Sequence, residues 1–321
     1  MDNNQIMTKQ KLGFSGILRE SLKLPIKYPN FILVFLITSF PLFFFLVLKE
    51  IILKQSLIQL VQMSYYLDGH TSSYRSLLSI TQLIENVSPI RLLSSLLLLG
   101  FIHLLDLLNT IIIVHTASVM YAGGEANPMN LNQMLCTSIK KVGFRGPLIT
   151  SICALILSSL TTTGLSILAI IIWHLTTDRS PFLILIFGAL YLALFAKHIE
   201  WSGIWNMGMV ISILEEKHGS VAIGISWYLS KGSRKRGFLM AFVLYAWNSA
   251  SKLSCVYYEE WNRGRIGSLV EGIAGKVCLD SVGNFMMWVG FVVYFYDCKR
   301  RLLEKKFDGA AEGRIAQTAE V

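Results

Sequence analysis

The chain's 321 residues are 53% hydrophobic, 12% aromatic and only 15% charged, where an ordinary soluble domain carries about a quarter charged residues. Two soluble domains are excluded, because apolar runs recur from residue 31 to residue 296 with no long polar block between them. The net charge of +9 does not indicate nucleic acid: the basic residues stand beside apolar segments, which makes membrane lipids the expected partners.

Residues 9–28 intersperse Lys9, Lys11, Arg19, Lys23 and Lys27 with Leu12, Ile17, Leu18, Leu22 and Leu24, the pattern of a basic amphipathic helix in the membrane interface, ended by Pro25 and Pro29. A first span follows at about 31–48, with Pro41 as an expected kink. Residues 49–91 alternate helical and turn patterns and predict a small extramembrane helical hairpin, with a glycosylation sequon at Asn86. The second span, 92–117, contains His103, Asp106, Asn109, Thr110 and His115.

After Asn130 comes a second amphipathic helix, with Leu131, Met134, Leu135, Ile139 and Val142 on one stripe and Lys140 and Lys141 off it. The third span, 148–173, is softened by Ser158, Ser159 and Thr161 to Thr163. The fourth, 181–213, belongs to an apolar stretch from Pro181 to Glu216 that would extend about 54 Å as a helix, at ~1.5 Å per residue, against a hydrocarbon core of about 30 Å. Lys197 and Glu200 interrupt it near its middle, three residues apart and able to pair on one face. Such charges normally face protein or water, so a bundle is expected around this helix.

A third amphipathic stretch places Val221, Ala222, Ile225, Tyr228 and Leu229 ahead of the basic run Lys231, Arg234, Lys235 and Arg236. A fifth span is predicted at 238–256 and a sixth at 275–298, with Tyr257, Tyr258 and Trp261 at headgroup level between them. The segment Asp297 to Phe307 reads as a basic amphipathic exit, and 307–321 as a disordered cytoplasmic tail. The fold class expected is thus all-α: one transmembrane domain over residues 1–306, with six transmembrane helices and three basic interfacial helices. The joints Glu20 to Leu33, Thr137 to Thr150 and Trp227 to Met240 are locally alike. Either a weak threefold repeat or the common character of juxtamembrane helices in an anionic leaflet accounts for this. Alternate segments carry most of the 29 Lys and Arg, which puts both termini in the cytoplasm.

Taking 100° per residue, His103, Asp106 and Thr110 fall within an arc of about 60° on the second span. With Lys197 and Glu200 they form a candidate polar centre inside the membrane, able to bind a substrate or proton. The competing account is that these groups satisfy one another and fix helix packing. Lys231, Arg234, Lys235 and Arg236 either contact anionic lipid or only set the orientation. Hydrolase and phosphate-binding motifs are lacking, so no enzyme, metal or cofactor is expected. The five cysteines are too scattered for a disulfide scaffold and read most simply as packing residues, although Cys255 and Cys278 flank one loop and could be bridged if it is lumenal.

Three stretches also carry a resemblance: Gly16 to Lys23 (GILRESLK), Trp201 to Gly232 (WSGIWNMGMVISILEEKHGSVAIGISWYLSKG) and Val292 to Arg300 (VVYFYDCKR). They resemble a family of plant multi-pass membrane proteins of unknown function. That family is distantly similar to the membrane domain accompanying some bacterial glycerophosphodiester phosphodiesterases. The resemblance implies six helices and the endoplasmic reticulum, another secretory membrane or the plasma membrane. It implies no activity, since the phosphodiesterase chemistry belongs to a separate soluble domain. The function expected from the residues is non-enzymatic binding or transport of a lipid or small amphiphile. The alternative is a structural or trafficking protein that acts through its amphipathic helices.

Overall fold

In a computed structural model of the chain, the residues described are 12–68, 89–122, 143–177, 181–262 and 268–319. The amphipathic helix expected after Asn130, Cys136 and the Asn86 sequon lie outside them. Among the described residues the fold is all-helical, with eight helices: α1 (Phe14–Lys27), α2 (Pro29–Asp68), α3 (Pro89–Ala122), α4 (Arg145–Thr177), α5 (Pro181–Leu214), α6 (Gly219–Ser230), α7 (Arg234–Trp261) and α8 (Ser268–Ala319). Five contain stretches long and apolar enough to cross a bilayer: Pro29–Gln55, Leu93–Ala122, Arg145–Leu175, Pro181–Leu214 and Val270–Glu304. The expected span at 238–256 lies within α7, which is not among the five. Asn248, Ser249, Ser251, Lys252 and Ser254 dilute the apolar character of its second half.

Two sequence expectations are corrected. Pro25 does not end α1, which continues through it to Lys27. Only the last turn remains beyond Pro25, and the chain turns at Tyr28 before Pro29 opens α2, where a missing N–H costs nothing. Nor is α5 enclosed along its whole length. Its buried residues run from Ile199 to Ile213, and its most apolar window is only 6% buried, against 56% for that of α8. A helix that is apolar all round suits lipid as well as a protein core, so composition alone does not distinguish them.

The chain divides into two compact units. The first comprises Met1–Phe35, Thr110–Asn248 and Gly283–Val321, and the second Leu36–Asn109 with Ser249–Val282. In the second, Asn109 ties α3 to α2: its Oδ1 accepts the Thr38 hydroxyl at 2.8 Å and its amide donates to Ser39 Oγ at 3.1 Å. Phe45 and Phe101 meet edge-on at 5.0 Å. Lys276 pairs with Glu50 at 2.9 Å, and Ser251 donates to Asp280.

The first unit is built around α8. Phe291, Tyr294 and Phe295 are almost wholly buried, and Phe285 packs in tilted contact against Phe31 and Phe35 of α2. The Tyr294 hydroxyl donates to the Ser233 carbonyl at 3.1 Å, and Ser233 Oγ lies 3.0 Å from Cys298 Sγ. Helix α6 packs on α4 and α5. Its buried face is made of Gly219, Ala222, Ser226 and Ser230, and Ser226 donates to the Ile204 carbonyl at 2.7 Å.

One polar clasp fastens the chain's beginning to α8. Asp297, 1% exposed, accepts Arg236 Nη1 at 2.5 Å, Arg301 Nε at 2.9 Å and the Leu12 backbone N–H at 3.1 Å. The Leu12 carbonyl in turn accepts Arg236 Nη1 at 2.9 Å and Arg301 Nη2 at 3.0 Å. Both oxygens of the carboxylate are therefore engaged, and both guanidinium groups bridge the same two acceptors.

Candidate functional site

Helix α5 ends with the Glu215 N–H still bonded to the Ile211 carbonyl at 2.8 Å. The next residue, Glu216, has φ 53°, and Gly219 has φ 61°. Glycine adopts this left-handed conformation freely, whereas a glutamate there is strained. The resulting tight turn swings Glu215, Glu216 and His218 to one side of the α5–α6 joint. Thr150 of α4, fully buried, pins the turn: its Oγ1 accepts the Gly219 N–H at 2.8 Å and lies 2.9 Å from Ser212 Oγ and 3.1 Å from the Gly146 carbonyl. One O–H and two lone pairs match these three partners.

Where this turn meets the end of α3, the start of α4 and the side of α8, a cavity of about 670 Å³ opens. His115, Ser118, Val119 and Ala122 line it from α3, Arg145 and Gly146 from α4, and Phe295, Tyr296 and Lys299 from α8. Gly143 and the run Ser212, Ile213, Leu214, Glu215, Glu216 and His218 supply the remaining wall. A Cβ at Gly146 would meet the His218 ring, so any side chain there would have to displace that exposed histidine. Lys299 donates to Glu215 Oε1 at 2.5 Å, both side chains remaining about a third exposed. The Tyr296 hydroxyl and Ser118 Oγ are 2.7 Å apart.

Cations and carboxylates thus converge on a cavity whose floor is partly apolar. Two carboxylates at the C-terminal end of α5 oppose that helix's dipole, so the sequence places negative charge there against the local preference. Among the described residues no group of three or more His, Cys, Asp or Glu is arranged to hold a metal ion.

The residues singled out from sequence are distributed as follows. His103 and Asp106 sit half-buried on α3 in the second unit, and Thr110, 2% exposed, opens the α3 portion of the first. Lys197 and Glu200 pair at 2.7 Å, with side chains 60% and 17% exposed. Next to them His198 Nδ1 lies 2.9 Å from Thr161 Oγ1 of α4, a link whose only trace in the sequence is a histidine within an apolar run. In the basic run, Arg236 belongs to the Asp297 clasp, and Arg234 lies 3.8 Å over the Trp227 ring. Lys231 and Lys235 are exposed. His115, Arg145 and Lys299 gave no signal as site residues, because they are brought together only by helices distant in sequence.

These features define an all-helical protein with five candidate membrane-crossing helices and a charged cavity at the ends of three of its helices. The chain belongs to the DUF8558 family, a domain of unknown function, which matches residues 1–304. No curated protein and no solved structure matches it.

Proposed function

We propose that the protein binds a lipid or another small amphiphile within the bilayer, without catalysis, as a carrier or binding protein. The observation that carries this reading is the cavity beside Glu215 and Lys299. Its volume of about 670 Å³ is that of a small-molecule site. Arg145 and Lys299 offer positive charge and Glu215 and Glu216 negative charge, next to apolar Val119, Ala122 and Ile213. We place the headgroup here rather than among His103, Asp106, Thr110, Lys197 and Glu200. The cavity sets volume beside its charges, whereas Lys197 and Glu200 satisfy each other on an exposed face.

The same reading takes α7 as a sixth span, so that both termini are cytoplasmic. The basic segments around Lys231 to Arg236 and after Asp297 then face the anionic leaflet. The likeness of Trp201 to Gly232 to plant multi-pass proteins favours a secretory or plasma membrane of a plant cell.

The test is purification in mild detergent followed by mass spectrometry of whatever stays bound, on wild type and Arg145→Gln in parallel. A defined amphiphile should co-purify with wild type and fall at least tenfold in the variant, whose melting temperature should not change. Bulk lipid alone in both preparations would remove the reading.

A second reading, membrane shaping by interfacial helices, is favoured by α6, which exposes Val221, Trp227 and Tyr228. On this reading wild-type protein reconstituted into vesicles should narrow their size distribution, and Val221→Asp with Tyr228→Asp should abolish that effect. Wild-type vesicles no different from protein-free ones would exclude it.

A further inference from the structure

The charges that line the cavity do not cancel one another in place. Every lining residue belongs to the first compact unit. Lys299 of α8 already neutralises Glu215, at 2.5 Å. Of the Arg, Lys, Asp and Glu in the lining, this leaves Arg145 at the start of α4 and Glu216 just past the end of α5. Both are exposed, and among the described residues neither makes an ion pair or a hydrogen bond.

Each of these two charges sits at the helix end of its own sign. The start of a helix is its positive end and favours an anion, whereas the finish is negative and favours a cation. Arg145 therefore adds its charge to the positive end of α4, and Glu216 adds its own to the negative end of α5. Instead of offsetting the helix fields, the side chains reinforce them, and the cavity has one strongly positive wall and one strongly negative one. Glu216 carries a further cost in its φ of 53°, a conformation natural to glycine and uncommon for any other residue. A glycine there would make the same turn, as Gly219 does at φ 61°, without either penalty. A residue kept at such cost beside a cavity points to a task in it.

We infer that the headgroup bound in this cavity is a zwitterion, with its anionic group at Arg145 and its ammonium at Glu216. This rests on the binding reading above and adds the chemistry of the headgroup. A phosphate oxygen takes charge-assisted hydrogen bonds from the guanidinium, and an ammonium gives them to the carboxylate. Each half of such a ligand relieves one unfavourable placement. An anionic headgroup without the ammonium would satisfy Arg145 but bring negative charge towards Glu216 and the negative end of α5.

The experiment strips the full-length protein of lipid in mild detergent and offers it equal amounts of phosphatidylethanolamine and phosphatidic acid with the same acyl chains. Mass spectrometry then counts what is retained. Wild type should keep the ethanolamine lipid at least tenfold over the acid. In Glu216→Gln that preference should fall to about twofold or less, and Arg145→Gln should lose both lipids. Glu216→Gly, which relieves the backbone, should melt at or above wild type and still lose the preference, so a folding defect cannot stand in for the effect. Equal retention of the two lipids by wild type would overturn the zwitterion and leave the cavity as a binding site. Retention of neither would remove the binding reading itself. A preference that survives in Glu216→Gln or Glu216→Gly would also overturn the inference.

Discussion

Replacing Asp297 by alanine is expected to destabilise the purified protein by about 3 kcal/mol or more, the usual consequence of removing one partner from a buried ion pair. The carboxylate is 1% exposed and holds two guanidinium groups and the Leu12 N–H. Without it, the Leu12 carbonyl is the clasp acceptor that remains for both arginines, and the Leu12 N–H loses its acceptor. Arg301, 30% exposed, can recover hydration, but Arg236, at 16%, is more confined. Asp297→Asn should fall between, because its amide oxygen still accepts from Leu12 while the charge is gone. Thermal unfolding in detergent measures all three proteins. An Asp297→Ala protein that melts with wild type would show that the clasp contributes nothing.

Gly203→Leu should be as damaging for a different reason. A Cβ at Gly203 would stand 2.9 Å from the Gly237 carbonyl oxygen and 3.7 Å from the Ala241 Cβ. The first of these neighbours is backbone and has no rotamer to yield, so α5 and α7 would have to separate. Overpacking commonly costs about 1–3 kcal/mol, and a clash with backbone belongs at the upper end. Gly224→Ala on α6 is the control, since nothing lies within 4 Å of the added carbon. It should be neutral, or stabilising by roughly 0.5–1 kcal/mol, because alanine loses less backbone freedom in a helix. Equal melting temperatures for the two variants would mean that the α5–α7 approach is not as close as described.

Long apolar runs were legible as helices because twenty residues without charge satisfy their backbone groups only by coiling. What surrounds each helix was not, since lipid and protein core select the same side chains. This is why α5 reads as central in sequence although its first half is exposed, whereas α8 is the more enclosed helix although Asp297, Lys299 and Arg301 make it look like an exit. The Lys197–Glu200 pair was readable because it is local, three residues apart on one helix. Of the partners of Asp297, Arg301 is local at i+4, but Arg236 and Leu12 are 61 and 285 residues away, and no spacing rule announces those two. The cavity is hidden for the same reason. Glu215, Glu216 and His218 look like an ordinary helix terminus until His115, Arg145 and Lys299 arrive from three other helices.

The clasp also bears on the order in which the protein is made. Leu12 leaves the ribosome 285 residues ahead of the carboxylate it binds, and Arg236 is likewise synthesised before its acceptor. Throughout translation these donors must wait in water or against headgroups, and they are neutralised only when α8 has been threaded into place. A chain halted before Asp297 lacks the carboxylate that Arg236 and the Leu12 N–H bind, so the clasp closes only once synthesis has passed that residue.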